Sequence, residues 1–404
     1  MNPSAPIYLD NNSTTPIHPE VAESMLRAAT DLVGNPASQH SLGRKTRRVL
    51  EEVREGIVSL LGGKSGGMEA DRLIFTSGGT EANQLAIRGW LPPIWKNTPA
   101  AEALPRYQGC MAVSAIEHPS VASVAEALHR ERQIVLERWT VEQAGMIKTH
   151  EVDFGGANCV LHEHTILVSI MLANNETGVI QPVSRIAELC AKYDIPVHTD
   201  AVQAVGKIPI DFRDLGVAAM SVAPHKFHGP LGIGGLLLKH RTKLEPLFHG
   251  GFQQGGLRPG TESVALAVGF YTALVMADRE LSKRQTRMTA LREELETLLL
   301  AGAPGAVIIG AASPRLPTTT CIAFPGINRQ ALVMALDMAG VACSTGSACA
   351  SGSSEPSATL VAMGLPQEQI ESAIRLSLSA VTTPAEVQEA AQRILKCVNH
   401  LRRQ

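Results

Sequence analysis

The stretch AAMSVAPHKFHGPLGIGGLLLK, residues 218–239, places a short polar turn between two apolar, β-rich runs. We predict strands at AAMSVA (218–223) and GGLLLK (234–239), with Lys226 just beyond the first of them. A Gly-Pro pair turns the chain soon after this lysine. A lysine in this position is either an ordinary solvated loop charge or a partly desolvated amine, whose lowered pKa suits Schiff-base chemistry.

Similar apolar runs alternate with helical patterns through the first two thirds of the chain. The other candidate strands are RLIFTS (72–77), MAVSAI (111–116), TILVSIMLA (165–173) and IPVHTD (195–200). Amphipathic stretches such as PVSRIAELCAKYD (182–194) predict helices between them. This alternation predicts an α/β fold with a mainly parallel sheet covered on both faces. Ligands of such sheets bind at the carboxyl ends of the strands.

The pattern changes at about residue 262, where a helical stretch of roughly 40 residues begins. Strand-like TTTCIAF and IRLSLS follow it, together with shorter helices and a final helix. We therefore predict a large domain at 20–261 and a smaller α+β domain formed by 1–19 and 262–404. The Pro-rich stretch at 92–109 lacks periodicity and predicts an exposed excursion.

The bulk composition excludes several classes of protein. The 404 residues carry a formal net charge of −2 and no long basic run, which argues against a nucleic-acid or membrane surface as the main partner. The first residues, MNPSAPIYLD, lack the charged and apolar regions of a signal peptide. No apolar segment approaches the roughly 18 residues that span a bilayer. We expect a soluble cytoplasmic protein.

The stretch VACSTGSACASGSSEP, residues 341–356, holds two of the seven cysteines, Cys343 and Cys349, in a run of small residues. Its composition predicts a mobile surface loop. A disulfide, a metal site, a nucleophile and chance could each explain thiols there. The chain has no CxxC motif and no zinc spacing, and we expect Cys159 and Cys190 to be ordinary packed residues.

Polar residues follow four further predicted strands, at Gly79 and Thr80, His118, Asn175, and Asp200. Each position also has an ordinary explanation, since Asp200 could cap a helix and His118 could begin one. The glycines of TSGGTEAN precede a predicted helix, whose free N–H groups favour an anion. Together with Lys226, these strand ends predict one crevice for a phosphate and an aromatic ring with a basic nitrogen. That combination indicates pyridoxal 5′-phosphate.

With these residues assembled, the chain resembles the NifS/IscS-type cysteine desulfurases, which belong to the pyridoxal phosphate-dependent transferases of fold type I and to aminotransferase class V. The resemblance extends over nearly the whole chain. Its motifs, in the family's order, are YLDNNSTTP, GNPASQHSLGR, TSGGTEAN, AIEHPSV, ANNETGVIQP, HTDAVQAVGKIPID, PHKFHGPLG, GLRPGTES, GSACASGSSEPS and IRLSLS.

The resemblance implies a role for each cofactor residue. The ring contacts would be Lys226 (covalent attachment), Asp200 (ring nitrogen), Gln203 (ring hydroxyl), Asn175 (beside the ring) and His118 (stacking and proton transfer). The phosphate would be bound by Gly79, Thr80 and His225. No metal is implied.

The resemblance also implies the substrate and partners. Arg375 would hold the carboxylate of L-cysteine, with Asn35 and Asn175 close by. Cys349 would take the substrate's sulfur as a persulfide, leaving L-alanine, and pass it to an acceptor protein for iron–sulfur cluster assembly or tRNA thiolation. Thr261 would reach the phosphate of the neighbouring subunit's cofactor, which implies a homodimer. Cys343 is expected to be a packed residue.

One position departs from the family. Ala223 stands where the family usually has a phosphate-binding serine, so a hydrogen bond of about 1.5–3 kcal/mol is missing unless Ser221 replaces it. We expect weaker retention of the cofactor. Three other interpretations stay open: a sibling enzyme such as a selenocysteine lyase or an aminotransferase, a non-catalytic scaffold, and a metal site formed by the two loop cysteines with His225 and His228.

Overall fold

The computed structural model describes residues 6–91, 109–131, 134–149, 164–346 and 355–403. Apart from Gly109, the predicted excursion at 92–109 lies outside these ranges, and so does Cys159. None of the described helices is both long enough and apolar enough to cross a membrane.

Twelve strands and eleven helices occur in the described ranges. The strands are β1 (Ile7–Tyr8), β2 (Arg72–Thr76), β3 (Cys110–Ser114), β4 (Val135–Trp139), β5 (Thr165–Ser169), β6 (Val197–Asp200), β7 (Ala219–Val222), β8 (Gly234–Leu238), β9 (Val307–Ile309), β10 (Thr319–Ala323), β11 (Val341–Ala342) and β12 (Ala373–Ser377). The helices are α1 (Pro19–Asp31), α2 (Ser41–Leu60), α3 (Gly79–Gly89), α4 (Pro119–Arg130), α5 (Val183–Ala191), α6 (Phe212–Leu215), α7 (Val264–Gly302), α8 (Arg329–Met338), α9 (Ala358–Ala362), α10 (Gln367–Ser372) and α11 (Pro384–Leu401).

The main sheet has seven strands in the order β2-β8-β7-β6-β5-β3-β4. Strand β8 is antiparallel to both of its neighbours, and the other pairings from β7 to β4 are parallel. The prediction of a mainly parallel sheet is therefore confirmed. Two successive antiparallel pairings give β2 the same direction as β7, so the carboxyl ends of all the strands except β8 lie at one edge.

The burial of the strands explains why most of them could be predicted. Every residue of β3, β6, β7 and β8 is buried, as expected for strands covered on both faces. Strand β4 was not predicted. Its sequence, VLERW, includes two charged residues, and only Trp139 is buried. It lies at the end of the sheet, where one edge has no neighbouring strand among the described residues.

A second hydrophobic cluster lies apart from the core of the main sheet. It combines Ile7 and Leu9 with residues of β10, β12, α8 and α11. Helix α7, predicted as a helix of about this length, contributes its first half to the main core and its second half, from Met288, to this cluster. The division into domains at 20–261 and at 1–19 with 262–404 stays a prediction, which the separate clusters support.

Candidate active site

Asp200 is the last residue of β6 and is almost completely buried. Its Oδ1 accepts a hydrogen bond of 2.9 Å from Val202 N, a local contact of the kind that the capping interpretation predicts. Its Oδ2 accepts a bond of 2.7 Å from Asn83 Nδ2, on α3. Because each carboxylate oxygen can accept two hydrogen bonds, Asp200 can serve this turn and still receive a proton-bearing ring nitrogen.

His118 is the N-cap residue of α4, as the simpler interpretation of its position predicts. Its Nδ1 accepts a hydrogen bond of 3.1 Å from Ser120 N and lies 2.7 Å from Ser120 Oγ. A backbone N–H can only donate, so Nδ1 is an acceptor and the neutral ring carries its proton on Nε2. His118 also lines a cleft between α3 and α4 together with Thr80.

Asn83 connects these two predicted site residues. The nitrogen that donates to Asp200 also lies 2.8 Å from Ser120 Oγ. Hydrogen bonds therefore run from His118 through Ser120 and Asn83 to Asp200. The arrangement fixes the imidazole and the carboxylate relative to each other, although they follow different strands.

Glu117 is a buried carboxyl group that the sequence did not single out. Its Oε1 accepts hydrogen bonds from Ser114 Oγ at 2.5 Å and from Met171 N at 2.8 Å. Burial, together with the negative charge of Asp200, raises the pKa of Glu117 to about 8, against the effect of those two hydrogen bonds. At neutral pH, Glu117 is therefore mainly neutral.

The start of α3 forms an open cradle. Its N-cap residue is Gly78, which has no side chain to bond the first-turn N–H groups, and the position of a Cβ on Gly78 has nothing within 4 Å. Strand β8 passes so closely that a Cβ on Gly234 would lie 2.5 Å from the Gly78 carbonyl carbon. A Cβ on Gly79 would lie 2.9 Å from Val202 Cγ2. An uncapped helix start beside open space suits a phosphate.

His225 and Ala223 lie on the segment that follows β7. His225 Nδ1 is 3.2 Å from Thr14 Oγ1. Burial, and then the charges of Lys226 and Lys207, lower the pKa of His225 to about 4. Ala223 is fully buried, and its Cβ would lie 3.6 Å from a Cβ placed on Gly79. The predicted phosphate segments at Gly79 and 223–225 are therefore neighbours.

Ser221 has a different partner from the one considered above. It is fully buried in β7, and its Oγ lies 2.9 Å from Nε2 of His198 on β6. The other ring nitrogen of His198 lies 2.8 Å from Ser169 Oγ on β5. Burial lowers the pKa of His198 to about 3, so the ring is neutral and accepts from one serine and donates to the other. The hydroxyl of Ser221 is thus hydrogen-bonded to His198 within the main sheet.

Lys226 ends a 3₁₀ turn, Pro224–Lys226, directly after β7. Its Nζ donates hydrogen bonds of 2.7 Å to the backbone oxygens of Asn12 and Ser13. These carbonyl groups come from the N-terminal segment, which lies outside the main sheet. The structure therefore places Lys226 at the edge predicted from its strand, with an ammonium held by neutral acceptors.

Gln203 and Lys207 meet the same segment. Gln203 Nε2 donates to Asn12 O at 2.9 Å, the oxygen that also accepts from Lys226. Lys207 Nζ donates to Gln203 Oε1 at 2.8 Å and to Asn12 Oδ1 at 3.0 Å. Lys207 is 7% exposed. Burial, and then the charges of Lys226 and Arg375, hold the pKa of Lys207 well below its ordinary value.

Arg375 lies on β12 and is 1% exposed. Its Nη2 donates to Asp10 Oδ1 at 2.6 Å and to Ser13 Oγ at 2.8 Å. Its Nη1 donates to the backbone oxygens of Asn175 and Gly346, at 3.1 and 3.2 Å. Within the described ranges Nε is buried without a hydrogen-bond partner, so the guanidinium keeps a donor for a carboxylate ligand.

Asn175 meets Arg375 through its backbone oxygen, whereas the predicted place of Asn35 beside the substrate stays a prediction. Asn175 contributes its backbone oxygen to Arg375 and to Asn12 Nδ2. Asn35 is exposed, and its Oδ1 accepts from Ala37 N at 2.8 Å. None of the hydrogen bonds found for Asn35 in the described ranges reaches Arg375.

Thr261 is exposed and lies beside Ser77, close to the start of α3. The segment that carries it is attached to α3 by an ion pair between Arg258 and Glu81, with Nε and Oε1 2.8 Å apart. A residue that reaches a neighbouring subunit must be accessible, and Thr261 is. Its predicted contact with a second cofactor stays a prediction.

Cys349 lies outside the described residues, which resume at Glu355 after Gly346. The buried carboxylate of Glu176 contacts both flanks of this gap. Ser357 Oγ donates to Glu176 Oε2 at 2.6 Å, and a Cβ on Gly346 would collide with the same oxygen. As predicted, Cys343 packs against the second hydrophobic cluster, where burial raises the pKa of its thiol to about 12. Cys190 is likewise fully buried in the main core.

Sequence reasoning missed four residues that hold the site together, namely Asn12, Asn83, Glu117 and Lys207. Each belongs to a motif that carries the family resemblance, so the motifs were a signal that these positions matter. Their contacts, however, join segments far apart in the chain, up to 365 residues for the bond from Asn12 N to Ser377 Oγ. Neither spacing nor local pattern indicates such pairs.

Comparisons with known proteins show the family and the fold of the chain. The sequence profile described as aminotransferase class V matches residues 7–389. The chain is 40% identical over 397 residues to a cysteine desulfurase of Cereibacter sphaeroides, covering 98% of this chain and 96% of that protein. It is 36% identical over 398 residues to the cysteine desulfurase NifS of Azotobacter vinelandii, covering 98% and 94% of the two chains.

A solved structure has the same architecture. The NifS-like protein from Rickettsia africae superposes with a TM-score of 0.83 at 30% identity, over 98% of this chain and 99% of that one. The similarity therefore extends over the main sheet, helix α7 and the second hydrophobic cluster together.

Proposed function

The chain belongs to the aminotransferase class-V family and, within it, to the NifS/IscS-type cysteine desulfurases, and from this membership we propose that it converts L-cysteine to L-alanine and transfers the sulfur to an acceptor. In balanced form, the C–S bond of cysteine breaks, an S–S bond forms on an enzyme thiol, and the thiol's proton is conserved in the new methyl group. The products are alanine and an enzyme persulfide, so no external reductant is needed.

We propose pyridoxal 5′-phosphate as the cofactor, because the described groups fit it. The uncapped start of α3 beside Gly78 suits the phosphate, and Asp200 has acceptor capacity for the ring nitrogen. Gln203 Nε2 uses one of its two N–H groups on Asn12 and keeps the other for the ring hydroxyl. When bound, pyridoxal phosphate supplies an electron sink for negative charge at the substrate's α-carbon.

The chain's own residues then bind the substrate and move protons. Arg375 would hold the carboxylate of cysteine, and Asp10 accepts a hydrogen bond from its Nη2. Lys226 Nζ would take the α-proton of the substrate. His118 would take part in proton transfer through Nε2, while Ser120 fixes Nδ1. Cys349 attacks the substrate's sulfur as a thiolate.

One observation carries the assignment of these roles. Ser13 accepts a hydrogen bond from Lys226 Nζ on its carbonyl oxygen, at 2.7 Å, and from Arg375 Nη2 on its hydroxyl, at 2.8 Å. A single residue, Ser13, therefore contacts both the amine that would hold the cofactor and the guanidinium that would hold the substrate. This spacing supports an amino-acid substrate small enough to fit between them.

Persulfide mapping by mass spectrometry after incubation of the purified holoenzyme with L-cysteine tests the proposal. We expect the added sulfur on Cys349 and stoichiometric alanine, both absent from Lys226→Ala and present in the exposed control Lys239→Ala. The variant Cys349→Ala should keep the visible absorbance of the cofactor and lose persulfide and sulfide. Sulfide release by Cys349→Ala at the wild-type rate would overturn the assignment of the nucleophile.

The same experiment decides among the alternatives. A non-catalytic scaffold would give neither alanine nor visible absorbance, and an aminotransferase would give a keto acid. A selenocysteine lyase would prefer selenocysteine in direct competition. Persulfide on Cys343 alone would place the reaction on a thiol that is mostly buried and hard to ionise.

We also propose that the protein is a cytoplasmic homodimer in which Thr261 reaches the neighbouring subunit's phosphate, and that the acceptor is a protein thiol, as in iron–sulfur cluster assembly or tRNA thiolation. The exposure of Thr261 supports this arrangement, because a residue that reaches another subunit must be accessible. Light scattering should give twice the mass of the chain. Thr261→Ala should weaken pyridoxal phosphate binding without dissociating the dimer.

A further inference from the structure

Lys207 is a buried amine with no role assigned above. It follows Gly206, whose φ of +75° and missing Cβ let the turn approach Phe227, next to Lys226. Lys207 Nζ donates to two amide oxygens, Gln203 Oε1 at 2.8 Å and Asn12 Oδ1 at 3.0 Å. No carboxylate of the described residues lies within 4 Å of its nitrogen. A buried lysine without an ion-pair partner is costly, which calls for a specific use.

The charges around Lys207 make that cost larger. Lys226 and Arg375 both act on it as like charges, and it acts in turn on His225 and His228. Asp10 is engaged with Arg375. Lys207 therefore lies among positively charged groups. Its hydrogen bonds to Gln203 and Asn12 are the favourable contacts that hold it there.

Those contacts determine the orientation of the Gln203 amide. A lysine nitrogen donates to an amide oxygen, so the atom of Gln203 that faces Lys207 must be Oε1. The other end, Nε2, then faces Asn12 O at 2.9 Å and has a second N–H group available. Without Lys207, Gln203 Oε1 would lose its donor, and Asn12 O alone would hold the orientation of the amide.

We propose that Lys207 is a positioning residue for Gln203, an inference that rests on the proposed function. By donating to Gln203 Oε1 and Asn12 Oδ1, it holds Gln203 Nε2 as the donor that meets the ring hydroxyl oxygen of bound pyridoxal phosphate. Lys207 itself contacts neither substrate nor cofactor.

A double-mutant cycle on the holoenzyme, with Lys207→Met and Gln203→Met, tests the proposal in the absence of cysteine. The readouts are the pH midpoint of the cofactor's visible absorbance and the dissociation constant of pyridoxal phosphate from the reconstituted protein. A donor near the ring oxygen favours the more negative form, so its loss should raise the midpoint, by about one pH unit. The dissociation constant should rise about tenfold in each single variant.

The double variant separates positioning from a general structural role. If Lys207 acts through Gln203, the double variant should shift no further than either single variant. Lys192→Met, at an exposed lysine, is the matched control and should leave the midpoint and the dissociation constant unchanged. If Lys207→Met does not fold, the same cycle with Lys207→Gln, which is too short to reach both acceptors, gives the same comparison.

Three results would overturn the inference or its premise. An unchanged midpoint in a folded Lys207→Met or Lys207→Gln variant would remove the positioning role. Fully additive shifts in the double variant would show that Lys207 acts by another route. A wild-type protein that binds no pyridoxal phosphate would instead overturn the proposed function, so the two failures are distinguishable.

Discussion

Asn83 Nδ2 donates a hydrogen bond of 2.7 Å to Asp200 Oδ2, and the same nitrogen lies 2.8 Å from Ser120 Oγ. One amide thus fixes the carboxylate proposed for the cofactor ring and, through Ser120, the imidazole of His118. Each of these groups follows a different strand of the main sheet. Their relative positions depend on a side chain of α3 that would touch neither substrate nor ring.

The first prediction concerns this amide. Asn83→Leu should leave Asp200 without one partner and weaken pyridoxal phosphate binding about tenfold, since one hydrogen bond to a charged group is lost. Asn83→Asp should weaken binding further, because a second carboxylate would face Asp200. Titration of the reconstituted protein by absorbance measures both. Equal binding by all three proteins would contradict the role given to Asn83.

The second prediction concerns the missing serine. Ala223→Ser should tighten pyridoxal phosphate binding about tenfold, by adding a donor to a charged acceptor. Ser221→Ala should lower the melting temperature, because His198 loses a buried partner, and should leave the dissociation constant unchanged. Weaker cofactor binding by Ser221→Ala would show that the hydroxyl of Ser221 serves the cofactor as well as His198.

The third prediction concerns Gly346, whose φ is +102° and whose added Cβ would collide with Glu176 Oε2. Gly346→Ala should cost about 1–3 kcal/mol of unfolding free energy from backbone strain and steric overlap. Gly305→Ala is the matched control, since its φ is +83° and nothing lies within 4 Å of its Cβ position. Thermal melting should show a larger loss for Gly346→Ala, and equal losses would exclude the contact with Glu176.

The fourth prediction concerns pH. Burial raises the pKa of Glu117 from 4.5 to about 8, so between these values the folded state keeps a proton that the unfolded chain has lost. The contribution of Glu117 to stability is complete below pH 4.5, falls as the pH rises and reaches its minimum above pH 8.

Glu117→Gln isolates this effect, because every other titrating group is shared with the wild type. The melting temperature of the variant, relative to the wild type, should rise between pH 5 and pH 8. The exposed Glu142→Gln serves as the control and should follow the wild type at both pH values. A constant difference between Glu117→Gln and the wild type would mean that Glu117 is ionised in the folded protein.

The edge of the sheet could be predicted from the sequence because parallel strands end on the same side. Asp200 and Lys226 follow buried apolar runs whose limits are visible in the chain, and their strands, β6 and β7, are adjacent. Strand β4 was not visible, because its exposed charged residues break the apolar pattern. The strand alternation placed Ser221 and Ala223 on one face, but it gave no sign of His198 across the sheet.

The residues that complete the site could not be predicted in this way. Asn12 and Lys207 have polar side chains and lie in segments without periodicity. Such side chains are ordinarily exposed at the protein surface. Their burial follows from contacts across the fold, which local propensity does not encode. Asn35 shows the converse, since it belongs to a family motif and yet its hydrogen bonds are local.

The position of Asn12 has a consequence for biosynthesis. Its backbone N–H donates a hydrogen bond to Ser377 Oγ, 365 residues away, and its carbonyl oxygen accepts one from Lys226 Nζ. Contacts of such sequence separation form late in folding, because the loop they close is long. As the ribosome releases the chain, the main sheet can be complete before Ser377 has emerged to accept from Asn12 N. Because β12 carries both Ser377 and Arg375, the proposed site can be complete only when synthesis is almost finished.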